Sequence, residues 1–274
     1  MRPAAAEIEG VPGPAPEAAD AATRLALVRA CEARIVNAWP APRTLLVGDW
    51  VVRFASGYSA RANSATPLNP DADLDEDALA FIVRLYREAG LPPLVRLTPL
   101  ARPGLRGRLE AAGWRVRDES LGLIGPQAGA VPSAPAPPPG ESLVLEPRGS
   151  RAWIEGVSAW ADAGKRDPEK LAAIVGNVAP DAAFATLHEN GAPLAFGMSV
   201  AERGFAEIGS ILVSPNARGR GVGGRLVGGL MAWAAARGHR AFLQVESRNA
   251  PALKLYRALG FTELYRYSAL ALEG

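Results

Sequence analysis

Over residues 21–39, AATRLALVRACEARIVNAW, the apolar side chains Leu25, Val28, Ile35 and Val36 return at helical spacing, which predicts an amphipathic helix. Two β-like runs follow, DWVVRFAS (49–56) and SARANS (59–64), with Gly57 and Tyr58 as turn residues between them. In DLDEDALAFIVRLYREAG (73–90), Asp73 and Asp75 precede the helical set Leu79, Phe81, Ile82 and Leu85, and Gly90 stops the helix. A strand at LVRLT, a helix at PGLRGRLEAAG and a strand at WRVRDESLGL complete the first half.

The second half predicts helices near 148–162 and 168–175, then a hairpin, AAFATLHENGAPLAFGMSVA, turning at Asn190-Gly191. FAEIGSILVS reads as a strand and VGGRLVGGLMAWAAARG as a helix with Leu226, Leu230, Met231 and Trp233 inward, closed by Gly238. AFLQV is a strand, NAPALKLYRALG a helix and FTELYRYSALAL the last strand. Between the halves, GPQAGAVPSAPAPPPGES (125–142) has almost no bulky apolar residue, so it reads as a semi-stiff linker. Residues 1–19 read as a disordered tail for the same reason. The organisation expected is 20–124, linker 125–142, and 143–274, in an α+β fold.

Composition removes several function classes. Residues 1–130 carry 15 basic and 15 acidic side chains and residues 131–274 carry 15 and 13, for a formal net charge of +2. A nucleic-acid binder would show a strong basic bias, so no nucleic-acid partner is expected. Cys31 is the only cysteine, and His188 and His239 are the only histidines, so no metal site is expected. His239 follows Gly238 and reads as part of a helix C-cap, and Cys31 as a buried small residue. The N-terminus lacks an apolar segment of signal-peptide type, and no run suits a membrane span, so a cytoplasmic protein is expected.

The stretch SPNARGRGVGGRLV (214–227) sits between a predicted strand and a predicted helix. The first N–H groups of a helix lack internal partners, the helix dipole is positive there, and glycines admit a ligand close to the backbone. Arg218, Arg220 and Arg225 add charge, so a pyrophosphate would suit the loop. It lacks the Lys-Ser/Thr pair of a nucleotide P-loop, and the ribose-binding acid of a dinucleotide fold is not evident downstream. A helix start that merely carries Gly and Arg is the bland reading.

Arg218-Gly219-Arg220-Gly221-Val222-Gly223 fits the R/Q-x-x-G-x-G/A signature of the GCN5-related N-acetyltransferase superfamily. LQVESRNAPALKLYRALGF resembles that family's second hallmark, an asparagine, A-x-x-L-Y and then G-F, at the family's spacing. The resemblance covers roughly residues 145–274. It implies that acetyl-CoA is the co-substrate, that the amides of residues 218–224 (with Gly224 closing the run) hold its pyrophosphate, and that Ile211, Leu212 and Val213 pair with the pantetheine. It further implies that Asn249 contacts the pantetheine arm and that Tyr256 is the general acid for the departing thiolate.

A phenol can donate to a thiolate formed within hydrogen-bond reach. Tyr256 also suits a core position beside Leu253 and Leu259. Glu207 lies in FAEI, eleven residues before Arg218, the place of the catalytic glutamate in histone acetyltransferases of the superfamily. Apolar neighbours would raise its pKa toward that of a useful base. A strand glutamate can equally be the solvent-facing member of an alternating pattern; Glu246 is the other candidate base, and members without one use water.

A shift of 147 residues lays LVRLTPLARPGLRGRLEAAGW on AFLQVESRNAPALKLYRALGF, Gly113 on Gly260 and Trp114 on Phe261. At this shift the arginine–glycine loop falls on DADLDE (71–76) and Tyr256 on Leu109, so the first copy would repel a pyrophosphate. RANSATPL resembles the N-terminal halves of tandem superfamily members. The expectation is two tandem domains of this fold, each a mixed, mostly antiparallel twisted sheet flanked by helices, the first degenerate. Arg53, Arg61, Asn63 and Ser64 read as strand residues that either face the cleft and bind an acidic substrate or form ordinary polar faces. The activity expected is acetyl transfer to a primary amine of a small molecule or protein, by a monomer or homodimer; the alternative is a non-catalytic acyl-CoA sensor or scaffold.

Overall fold

The computed structural model describes residues 16–131 and 137–272, with side chains from Asp20 onward. Residues 1–15 of the expected tail and 132–136 of the expected linker lie outside the described residues. The first helix, α1 (Pro16–Ala38), already includes residues 16–19. Then come β1 (Arg43–Val47), β2 (Trp50–Phe54), β3 (Ala65–Pro67), α2 (Glu76–Glu88), β4 (Leu94–Leu97), α3 (Leu105–Ala111) and β5 (Arg115–Ile124). The second half holds β6 (Glu141–Glu146), α4 (Arg151–Trp160), α5 (Pro168–Val175), β7 (Asp181–Glu189), β8 (Ala192–Glu202) and β9 (Phe205–Val213). It ends with α6 (Val222–Ala235), β10 (Arg240–Glu246), α7 (Ala250–Ala258) and β11 (Thr262–Ala271).

Local chemistry explains many boundaries. The Asp75 carboxylate accepts from the Ala78 N–H at 2.8 Å, and Glu76 and Asp77 fill the first turn of α2, where anions favour the helix dipole. Asp167 caps α5 ahead of Pro168, and Ser150 caps α4. The β7–β8 turn has both central residues at positive φ, Asn190 at 50° and Gly191 at 83°, as a two-residue hairpin requires.

Two local expectations are corrected, and two strands are not expected from the sequence. SARANS is not a strand: Ala60–Ala62 is a 3-10 turn capped by Ser59, and only Ala65–Pro67 joins the sheet. The strands β1 and β6 carry no sequence expectation, and Glu141 and Ser142, expected in the linker, begin β6. Both are edge strands with largely exposed side chains, so neither needs a strong apolar pattern.

The larger correction concerns the sheet. Instead of two sheets, the described residues form one of eleven strands, in the order β1-β2-β3-β4-β11-β5-β10-β9-β8-β7-β6. The C-terminal strand β11 enters between β4 and β5, and β5 lies between β11 and β10. Thus the last strand of each half hydrogen-bonds inside the other half. This satisfies backbone groups that two separate sheets would expose as edges. The helix α1 packs on β8, β9 and β11, and Arg34 donates to the carbonyls of Glu202 and Arg203, each at 2.8 Å.

The core beneath the second half joins Leu226, Val227, Leu230 and Met231 of α6 to Ile208, Leu243 and Tyr256. Trp233 is only half-buried, under the Arg237 guanidinium. A polar network crosses the centre: Arg96 donates to both oxygens of the fully buried Glu32 (3.2 and 3.4 Å), and Gln244 donates to Glu32 at 2.8 Å. The Tyr265 hydroxyl also donates to Glu32. Cys31 is fully buried, and burial first and Glu32 second push its thiol to about 12. Among the described residues no helix is long and apolar enough to cross a membrane.

Candidate active site

The parallel strands β9 and β10 pair only along Phe205–Glu207 and Arg240–Phe242. Beyond Glu207, β9 keeps β8 as its partner while β10 follows β5, so the sheet splits into a cleft. A β-bulge sharpens the divergence. Phe196 faces Leu212 and Met198 faces Gly209, leaving Gly197 opposite both Ser210 and Ile211, with Ser210 at φ 54°. A side chain at 197 would press on the methyl tips of Ile211, Leu226 and Leu230, so the packing there favours glycine.

The arginine–glycine loop leaves the far end of β9. Pro215–Ala217 forms a 3-10 turn, Gly219 and Gly221 both stand at φ 74°, and α6 begins at Val222. The Gly221 N-cap offers no side chain to the first N–H groups of α6, which leaves them for an anion. A Cβ at Gly223 would crowd Leu255 of α7 at 3.2 Å, so the two helices meet here backbone to side chain. The arginines differ. Arg225 chelates Glu141 at 2.6 and 2.8 Å, Arg220 pairs with Glu189, and Arg218 is exposed, without a side-chain partner among the described residues. Two of the three loop arginines are therefore committed to ion pairs.

Ile211, Leu212 and Val213 lie half-buried along the lip of the split. Across it, Asn249 caps α7, its Oδ1 accepting from the Ala252 N–H at 3.2 Å, which leaves its NH₂ as a donor. Tyr256, about two turns further along α7, is 7% exposed and packs edge-on against Phe261. Burial and the nearby Glu207 charge, opposed by Arg61, raise its phenol to about 12.

Glu207 is not solvent-facing: it is 2% exposed and its carboxylate folds over Gly209, toward the bulge. Burial raises its pKa, and Arg61, 2.8 Å away, opposes the rise. Beside it lies a cavity of about 640 Å³, walled by both halves: Trp39, Tyr58 and Arg61 from one side, Ser210, Ile211 and Leu212 from the other. Asp118 and Glu246 also line it. Burial, then Glu246, raises the Asp118 carboxyl, while Glu246 holds Arg248 at 2.9 Å. Of the polar quartet near residue 60, Arg53, Asn63 and Ser64 are buried; Asn63 and Arg61 line the cavity, and Arg61 aims its side chain at Glu207. No local signal marks the Arg61–Glu207 pair, whose members are 146 positions apart. His239 accepts from the Gly204 N–H and plays no part here.

A family profile described as "Probable histone acetyltransferase Rv0428c C-terminal" matches residues 25–270. The chain belongs to that family. It is a GCN5-related N-acetyltransferase. It is 24% identical over 240 residues to the "Uncharacterized N-acetyltransferase YobR" of Bacillus subtilis, covering 86% of this chain and 95% of that protein. A solved GCN5-related N-acetyltransferase from Kribbella flavida shares the fold at TM-score 0.67 and 17% identity, covering 91% and 96% of the two chains. So does a GNAT-family protein titled a putative acetyltransferase from Novosphingobium aromaticivorans, at TM-score 0.55 and 22% identity, over 88% of this chain and 97% of that one. A protein titled a tandem GNAT protein of clavulanic acid biosynthesis shares the fold at TM-score 0.59 and 16% identity, over 72% and 70%.

Proposed function

We propose that this acetyltransferase passes an acetyl group from acetyl-CoA to a primary amine bound in the cavity between its halves. The observation that carries the reading is the split between β9 and β10: an uncapped helix start lies at one end, and a buried carboxylate and phenol lie at the other. The amides of 218–224 and Arg218 would hold the pyrophosphate, and Ile211, Leu212, Val213 and Asn249 the pantetheine. The bound co-substrate supplies the thioester.

The neutral amine attacks the thioester carbonyl carbon, forming the C–N bond as the C–S bond breaks. Glu207, or a water it orients, takes the proton from nitrogen. Tyr256 gives its proton to the departing sulfur, and proton exchange with solvent restores both groups. The raised Glu207 improves the match of its basicity to neutral pH, and the raised Tyr256 stays protonated until it is needed. Glu246, exposed and paired with Arg248, is the weaker candidate base.

We read the first half as a degenerate copy of the second. Adding 147 to β5 (115–124) gives 262–271, the bounds of β11. Adding 147 to α2 gives 223–235 against an observed 222–235 for α6. Where the second half has its arginine–glycine loop, the first has Asp73, whose carboxylate accepts from Arg102 at 3.0 Å and from Arg108. An internal anion thus stands where a pyrophosphate would bind. Titration of the protein with acetyl-CoA by calorimetry tests both statements. One site per chain, lost in Gly221→Glu, is expected; two sites would overturn the degenerate copy, and no binding would overturn acetyl-CoA as the donor.

A further inference from the structure

Glu207 depends on the other half of the chain. Among the described residues its one salt-bridge partner is Arg61, whose Nη1 lies 2.8 Å from Oε1. Arg61 sits in the 3-10 turn Ala60–Ala62, and that turn is held from several sides. Asn63 Oδ1 accepts from the N–H groups of Ala55 (2.7 Å) and Gly57 (3.0 Å), and its NH₂ donates to the Ser59 carbonyl at 2.7 Å. Trp39 Nε1 donates to Ser59 Oγ at 3.0 Å, and the fully buried Arg53 donates to the Arg61 carbonyl. The backbone of Arg61 is therefore fixed, while its guanidinium, 26% exposed, forms part of the cavity wall.

A carboxylate 2% exposed with no cation beside it would hold its proton rather than lose it. It could not then accept one from an amine at neutral pH. The charged and titratable groups facing Glu207 are Arg61 from the turn and Tyr256 from α7. Only Arg61 favours the anion.

We infer that Arg61 is a positioning residue for acetyl transfer: it holds the Glu207 carboxylate as an oriented anion at the split, so the first half completes the active site of the second. The inference rests on Glu207 being the base. It gives the half without a working loop a chemical task, and it explains the rigid support beneath an otherwise ordinary turn.

The test uses full-length protein carrying ¹³C-labelled glutamate side-chain carboxyls, with Glu207→Gln to assign the Glu207 signal. In Arg61→Gln the protonation midpoint of Glu207 should rise by at least about one pH unit, with Arg61→Lys between that variant and the wild type. With an accepted amine, kcat of Arg61→Gln should fall at least about tenfold at neutral pH and recover as pH rises, while KM for acetyl-CoA holds. Arg61→Lys carries the comparison if Arg61→Gln does not fold. An unmoved midpoint with unchanged kcat, while Glu207→Gln is slow, overturns the inference alone. A Glu207→Gln enzyme with full kcat removes the base itself and, with it, this inference.

Discussion

The ring of Tyr265 in β11 fills the space a Cβ at its cross-strand partner Gly122 in β5 would take. These residues belong to the two strands that the halves exchange, and the Tyr265 hydroxyl reaches from there to buried Glu32. Gly122→Ala should cost about 1–3 kcal/mol of stability through overpacking, read as a fall in urea midpoint. Gly129→Ala, where nothing lies within 4 Å of the new Cβ, should leave the midpoint almost unchanged. Equal midpoints for the two variants would mean that the strand exchange is loosely packed.

The pairing of Glu32 with Arg96 makes a second stability prediction. Arg96→Met leaves a carboxylate fully buried with only neutral donors, Gln244 and Tyr265, beside it. The expected loss is about 3–5 kcal/mol, measured by chemical denaturation. Adding Glu32→Gln should return part of it, because the uncompensated charge disappears. A double variant as unstable as the sum of both single ones would show that the two groups are independent.

Tyr256→Phe should bind acetyl-CoA as the wild type does and lose at least about 100-fold in kcat, as removal of a general acid implies. In the wild type, Tyr256 stays protonated up to about 12, so it imposes no loss of rate through mildly alkaline pH. If Glu207 is the base, as proposed, the acidic limb of kcat/KM should lie above the usual carboxylate range, because the base must be ionised and burial raises its pKa. A variant Tyr256→Phe of undiminished kcat would return this side chain to a packing role.

Asn249 caps α7 and, in the proposed function, also contacts the pantetheine arm; substitution separates the two. Asn249→Ala removes the cap of α7 and should cost about 1 kcal/mol in stability as well as affinity for acetyl-CoA. Asn249→Ser keeps an oxygen for the Ala252 N–H but loses the NH₂ donor. It should therefore hold its melting temperature while its dissociation constant for acetyl-CoA rises. Wild-type affinity in Asn249→Ser would confine Asn249 to capping.

Much of the local structure is written in neighbouring residues. Asp75 and Asp167 mark helix starts, Asn190-Gly191 marks the hairpin, and the sequence from Arg218 to Gly223 marks the glycine turn into α6, because capping and turn geometry are short-range effects. The extended parts of the chain are less legible. RTLLV and ESLVLE lie at sheet edges with little burial, and SARANS folds into a turn because Asn63 bonds to Ala55 and Gly57. Tertiary structure alone decided that the halves share one sheet, since strand exchange depends on which backbone edges meet, and both arrangements satisfy the same apolar pattern. It also decided the surroundings of Glu207. An alternating strand leaves a glutamate's face undetermined, and only the folded chain brings Arg61, from 146 positions away, to 2.8 Å from its carboxylate.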